Sequence, residues 1–200
     1  MSVLYQLPVL VIAACMTCNA HSKNMQLDAN LFLTGFDAGG NDEFHSGKAI
    51  NVNYSYYLKD WLAADAGLMI SDKTLDESQT DVVGTYRASI QTQAILLGVK
   101  PRYRFEAPYE VYGRLGLQYW NTELEVEEYF GAGIPEGKDS ATDNGIGYYF
   151  SLGGAYYVAE NVIVQLELRQ MKQLDVFEGQ STYPFDLTIN ALSFGVGYQF

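Results

Sequence analysis

The final residues of the chain, Ser193-Phe194-Gly195-Val196-Gly197-Tyr198-Gln199-Phe200, decide how the rest is read. Counting back from Phe200, the even positions Tyr198, Val196, Phe194 and Leu192 are apolar. The odd positions Gln199, Gly197, Gly195, Ser193 and Ala191 are polar or small. Alternation with a period of two is the mark of a β-strand with unlike faces. In water the apolar face would need a second sheet against it, whereas in a bilayer lipid serves as that partner.

The same alternation recurs in seven earlier segments, each long enough to cross an outer membrane at a tilt. The first is Gln26 to Phe36, with Leu27, Ala29, Leu31 and Leu33 outward, and the second is Ala49 to Leu58, with Ile50, Val52, Tyr54, Tyr56 and Leu58 outward. In the third, Leu62 to Ser71, the residues Leu62, Ala64, Ala66, Leu68 and Ile70 face lipid and Asp65, Gly67 and Met69 face inward. The fourth, Thr92 to Phe105, is apolar on both faces at Ile95-Leu96-Leu97 and is interrupted by Pro101. Placing Ile95, Leu97, Val99, Tyr103 and Phe105 outward puts Lys100 inside. The fifth, Glu110 to Trp120, sends Val111, Leu115, Leu117 and Tyr119 to lipid and Tyr112, Arg114, Gln118 and Trp120 to the lumen. The sixth, Ile146 to Tyr157, turns Tyr148, Phe150, Leu152 and Tyr156 outward. The seventh, Asn161 to Met171, turns Val162, Val164, Leu166 and Leu168 outward and Gln165, Glu167 and Arg169 inward. Thr188 to Phe200 is the eighth. The predicted fold class is all-β, an eight-stranded antiparallel up-and-down transmembrane β-barrel, whose lumen is narrow enough to be filled by its own side chains.

Connection lengths give an independent indication. Those around Lys59-Asp60, Glu106 to Tyr109 and Val158 to Glu160 are short, and the others run to roughly 10 to 25 residues rich in Asp, Glu, Gly, Ser and Thr. Short periplasmic turns alternating with long external loops would put both termini on the periplasmic side. The acids Asp72, Asp76, Glu77 and Asp81, and then Glu123, Glu125, Glu127, Glu128, Glu136, Asp139 and Asp143, fall in those predicted outer loops. They read either as solvated charge or as a bridge, through divalent cations, to lipopolysaccharide phosphates.

Composition agrees with the class. The 200 residues include 16 Tyr, 10 Phe and 19 Gly, and no apolar run of 18 or more lies beyond the first twenty residues, which excludes helical membrane spans there. Leu4 to Cys18 is a short apolar run ending in Cys18-Asn19-Ala20, which reads as a signal peptide over 1–20 cleaved after Ala20, leaving a barrel domain over 21–200. Ile12-Ala13-Ala14-Cys15 offers a second reading, a lipoprotein box that would lipidate Cys15. Cys15 and Cys18 are the only cysteines, so a chain cleaved after Ala20 has no disulfide or thiolate metal site. Met1 to Ala20 carries no charged side chain, so the net charge of −12 belongs wholly to residues 21–200, and nucleic acid is an unsuitable partner.

The polar residue, Gly195, Tyr198 and terminal Phe200 pattern resembles the signal by which bacterial barrel-assembly machinery recognises its clients. Ala94 to Trp120, with Gly98-Val99-Lys100, Val111-Tyr112-Gly113-Arg114-Leu115-Gly116 and Tyr119-Trp120, resembles the middle of the OmpA-type barrel. Gly153-Gly154-Ala155-Tyr156-Tyr157, Gln165-Leu166-Glu167-Leu168 and Leu192 to Phe200 extend the likeness, which the OmpX/Ail and OmpW-like small barrels share. The resemblance implies an outer-membrane protein with lipid, lipopolysaccharide and, during insertion, the assembly machinery as partners. OmpA-type proteins usually carry a peptidoglycan-binding domain after the barrel; the sequence read here stops at Phe200, so a cell-wall tethering role is not among the expectations.

Catalysis would need a nucleophile and a base at the membrane edge. The two histidines are His21, near the start, and His45, in the first predicted outer loop, so neither meets a strand-borne Ser and carboxylate. No catalytic residue, cofactor or metal site is expected, although Glu123 to Glu128 could form a weak calcium site. Tyr54, Tyr56, Tyr103, Phe105, Tyr119, Tyr148, Phe150, Tyr156, Tyr198 and Phe200 are predicted for aromatic girdles. The predicted lumen set is Asn51, Asn53, Asp65, Gln91, Gln93, Arg114, Gln118, Gln165, Glu167 and Arg169, which suits a filled structural barrel better than an apolar conduit for small solutes. Asp65, Lys100, Arg114 and Glu167 match positions where the OmpA-type resemblance implies an internal salt-bridge network. Gln165 stands where that pattern has an arginine, with Arg169 nearby as a substitute. The alternative is that each charge meets lumen water by itself.

Overall fold

The computed structural model describes residues 24–37, 43–72, 74–80, 85–129, 135–178 and 185–200. Its strands are β1 (Met25–Asp37), β2 (Glu43–Lys59), β3 (Leu62–Ser71), β4 (Thr74–Thr80), β5 (Thr85–Arg104), β6 (Tyr109–Tyr129), β7 (Pro135–Tyr157), β8 (Val162–Val176) and β9 (Phe185–Gln199). All pairings are antiparallel, and β3 and β4 both pair with β5, one end to each. They act as one interrupted stave, so the ring has eight staves: β1 pairs with β9, and β3 with β5 closes it. Closure removes the edges that lipid could not satisfy.

The register fixes the barrel's shape. Stepping sideways from Thr34 leads through Ala191, Arg169, Ser151 and Arg114. It then crosses to Lys100, Ala63 and Tyr57. Tyr57 gives its N–H to the Asn24 carbonyl, so the path returns to β1 ten positions from its start. A stagger of that size in eight staves goes with a strand tilt of about 40°. The β5–β6 ladder has a gap at Lys100 and Pro101 and resumes at Arg102 in unchanged register, which sets Lys100 opposite Arg114.

Every lipid-facing residue predicted above with a large side chain falls on the outer wall, most of them exposed, up to 69% at Leu152, and Leu27, Val52, Tyr54, Leu62, Val99 and Val164 half-buried. Along β7 the outward series from Ile146 to Tyr156 spans ten residue steps, about 25 Å of height at about 3.3 Å per step and this tilt. That is the height of an outer-membrane apolar band. Tyr103 and Phe105, Tyr109 and Tyr156, and Tyr198 and Phe200 pack edge-on or tilted at the end with the short turns. Phe150, predicted for a girdle, sits midway along the outward series of β7 instead.

Two expectations are corrected. The outer connections are much shorter than predicted, because the strands run on past the band: β6 and β7 have 21 and 23 residues, against the 9 to 11 a tilted crossing needs. Glu123, Glu125, Glu127, Glu128, Asp139 and Asp143 therefore lie on strands, as does the His45 backbone. Gln91 and Gln93, assigned to the lumen, share the outward parity of Ile95, while Thr92, Ala94 and Leu96 point inward. Residues 1–23, with the proposed cleavage site, Cys15 and His21, lie outside the described residues, as does Asp81.

Candidate functional site in the lumen

The inward parity of five staves brings three acids and three bases into one layer, β8 supplying both Glu167 and Arg169. Arg114 on β6 is its centre. The guanidinium reaches Asp28 Oδ2 on β1 through Nη2 at 2.6 Å, Asp65 Oδ2 on β3 through Nε at 3.4 Å, and Glu167 Oε2 on β8 through Nη1. Lys100 Nζ on β5 lies 3.5 Å from Asp28 Oδ2 and 4.6 Å from the centre of the Tyr112 ring. Arg169 forks onto Glu167 Oε1 with Nη2 at 2.7 Å and Nε at 2.8 Å, and its Nη1 donates to Asn51 Oδ1 at 3.3 Å. Asp28, Asp65 and Glu167 thus balance Lys100, Arg114 and Arg169, and all six side chains are shut off from solvent. Charges so enclosed are tolerated only when paired and hydrogen-bonded.

Neutral groups complete the layer. Asn53 Nδ2 and Ser55 Oγ donate to the two Asp65 oxygens at 3.0 and 2.6 Å. Tyr112 OH donates to Glu167 Oε2 at 3.0 Å, and Gln26 Nε2 to Asp28 Oδ1 at 2.7 Å. Glycines on β9 make room for the acid of β1. A Cβ on Gly197 would collide with Asp28 Oδ1, and one on Gly195 with Asn30 Oδ1 and the Ala29 carbonyl. Gly195, singled out above for assembly, therefore also has a packing reason to be glycine.

The structure brings together all five charged residues proposed from sequence. It also adds Asp28, which sequence reasoning left out although it is an acid on the inward parity of the first strand. Gln165 does not enter the charge layer; its Nε2 donates to Asn30 Oδ1 at 2.6 Å. A second, smaller group lies toward the short-turn end. Arg102 Nη1 is 3.2 Å from Glu110 Oε2, its guanidinium lies 3.5 Å from the centre of the Tyr57 ring, and Tyr157 OH donates to the same Glu110 oxygen at 2.7 Å. Arg102 and Glu110 were missed too.

Above the charge layer the lumen changes character. Phe32, Met69, Leu96, Trp120, Tyr149 and Met171, all at or below 1% exposure, pack into one apolar cluster with Ile90, Leu187 and Ile189. Arg169 marks the boundary, its guanidinium 4.7 Å from the centre of the Phe32 ring. Val176 and Phe177 fold over the outer end of this cluster. Phe177 has a positive φ of 62°, held by its N–H donating to Asp143 Oδ2 at 2.5 Å. Beyond the band, Lys172 Nζ lies 2.7 Å from Asp186 Oδ2. The Lys172 hydrogen bond, with the Asp175 N–H, holds the Asp186 carboxyl below its usual range. Among the described residues no group of three or more His, Cys, Asp or Glu side chains could hold a metal ion.

A closed ring of eight tilted staves, apolar outside and plugged inside, defines a small transmembrane barrel of the outer-membrane type. The sequence profile of the family described as outer membrane protein beta-barrel domain matches residues 7–200, and the chain belongs to that family. Solved structures share the fold at low identity. Neisserial surface protein A is similar with a TM-score of 0.60 and 15% identity, covering 90% of this chain and 98% of that one. Ail, the attachment invasion locus protein of Yersinia pestis, gives 0.58 and 11%, covering 90% and 100%. OprG of Pseudomonas aeruginosa gives 0.53 and 12%, covering 90% and 98%. No curated protein sequence matches the chain.

Proposed function

We propose that this protein is a structural, surface-contacting barrel of the outer membrane, not an enzyme, with a lumen closed in two stacked layers. The observation that carries this reading is the stacking of a neutral six-charge layer beneath an apolar cluster whose largest side chains are fully buried. An ion crossing the barrel would have to displace both. In this reading the short turns and both termini face the periplasm and the strand extensions face outward. Residues 1–20 are a cleaved signal, and Gly195, Tyr198 and Phe200 present the closing strand to the assembly machinery. The acidic extensions of β6 and β7 are the surface for outside contacts. The name of the Yersinia pestis neighbour assigns attachment to that protein.

A narrow conduit for small solutes is the rival reading, and the apolar upper lumen is a feature such a conduit would share. The two differ in cells. Deleting the gene should raise sensitivity to detergents and leave uptake of a small hydrophilic reporter substrate unchanged. Slower uptake with unchanged detergent sensitivity would favour the conduit.

A further inference from the structure

The outer wall is not evenly ridged. Between β1, β2, β3 and β5 runs a groove of about 810 Å³, walled by apolar side chains and floored where Ala66 and Val52 leave the wall low. Its deep end lies beside Tyr54 and its other end beside Lys48, six residues earlier on β2. Six steps at about 3.3 Å, tilted by about 40°, give about 15 Å of height, half of the roughly 30 Å hydrocarbon core. Tyr54 is also midway along the outward series of β2, so the groove occupies one leaflet, the one on the side of the strand extensions.

The head of the groove is polar. Lys48 is exposed there, and Asp72 and Gln91 line the same end. The Asp72 N–H donates to the Lys48 carbonyl at 2.8 Å, which keeps these two strand ends together. An ammonium at headgroup height suits a phosphate. A carboxylate and an amide beside it suit hydroxyl donors, which a sugar headgroup has in number. The volume matches about 27 water-sized units of about 30 Å³, the bulk of two acyl chains of about a dozen carbons each.

We propose that this groove seats two acyl chains of one phosphorylated glycolipid of the outer leaflet, with a phosphate on Lys48 and sugar hydroxyls on Asp72 and Gln91. The proposal rests on the outward orientation of the strand extensions given above, but not on closure of the lumen. Its test is lipid retention, which ion conductance does not affect. The purified full-length protein is incubated in detergent with diphosphorylated lipid A, with the same lipid dephosphorylated, or with phosphatidylglycerol, and retained lipid is counted by native mass spectrometry. Wild-type protein should retain about one diphosphorylated lipid A per barrel and at least tenfold less of the other two. Ala66→Trp fills the groove and should cut retention about tenfold. Ala64→Trp, equally lipid-facing but outside the groove, should not. Lys48→Gln should remove the preference for the phosphorylated form, and it decides the matter if Ala66→Trp fails to fold by its gel shift. Equal retention of all three lipids by wild-type protein, or an Ala66→Trp variant that folds and retains lipid A as wild type does, would overturn the proposal.

Discussion

Replacing Arg114 with alanine is the perturbation whose cost can be reasoned most fully from the lumen geometry. The layer holds three acids and three bases, so Arg114→Ala leaves it one charge out of balance in a space without bulk water. The three carboxylates do not suffer equally. Asp28 keeps Lys100 at 3.5 Å and Gln26, and Glu167 keeps the Arg169 fork and Tyr112. Asp65 keeps only the neutral donors Asn53 and Ser55 among the described contacts, because its ion pair is with Arg114. Breaking a buried ion pair from one side costs about 3 to 5 kcal/mol, and the surviving donors on Asp65 place this case near the lower end, about 3 kcal/mol. The assay is urea unfolding in lipid vesicles, followed by the gel shift between folded and unfolded forms. Adding Asp65→Asn to Arg114→Ala should restore about 2 kcal/mol, and adding Asp28→Asn less than about 1 kcal/mol. A loss below about 1 kcal/mol for Arg114→Ala would refute the reasoning, since individually hydrated charges would give that result. So would equal rescue by the two second changes.

The same geometry sets three further outcomes. Gly195→Ala should destabilise the barrel by about 1 to 3 kcal/mol, since its Cβ would press on Asn30 and the Ala29 carbonyl. Gly154→Ala, whose nearest neighbour is the Glu110 carbonyl at 4.0 Å, should be near neutral in the same unfolding assay. Phe200→Ala should lower assembled protein in cells more than Gln199→Ala does, because Phe200 packs on Tyr198 with ring centres 4.9 Å apart while Gln199 points into the lumen. Equal losses would contradict the assigned faces. Asp186 should titrate, by NMR, below the ordinary Asp value of about 3.9. Its contact with Lys172 is therefore present above that pH and is lost as pH falls through the lower folded value. Lys172→Met should move the midpoint upward, and an unchanged midpoint would remove the assigned cause.

The staves were legible because lipid on one side and packed side chains on the other impose a strict period of two, which a residue string displays directly. That parity alone put Asp65, Arg114, Glu167 and Arg169 on the inner face, whereas on the fourth strand, apolar on both faces, the charge of Lys100 decided which face was inward. Asp28 escaped because the first strand was read from its outward leucines, and a lone inward acid gives no periodic signal. The apolar upper lumen was hidden for a physical reason: where Phe32, Met69 or Leu96 is inside and lipid is outside, both faces are apolar and alternation vanishes, as at Ile95-Leu96-Leu97. The strand extensions were read as loops because their outer faces leave the lipid and carry charge in place of large apolar side chains. Even so, Thr122, Leu124 and Val126 alternate with Glu123, Glu125 and Glu127, and that pattern could have revealed them. Which side chains meet across the ring depends on the stagger of ten, which no single strand encodes.

Electrical recording of the purified wild-type protein in a planar bilayer tests the closed lumen most directly. With the charge layer paired and the apolar cluster packed above it, the baseline should stay silent apart from rare, small openings. Those openings should become more frequent in Arg114→Ala. A steady, ohmic conductance through every inserted wild-type barrel would contradict the account.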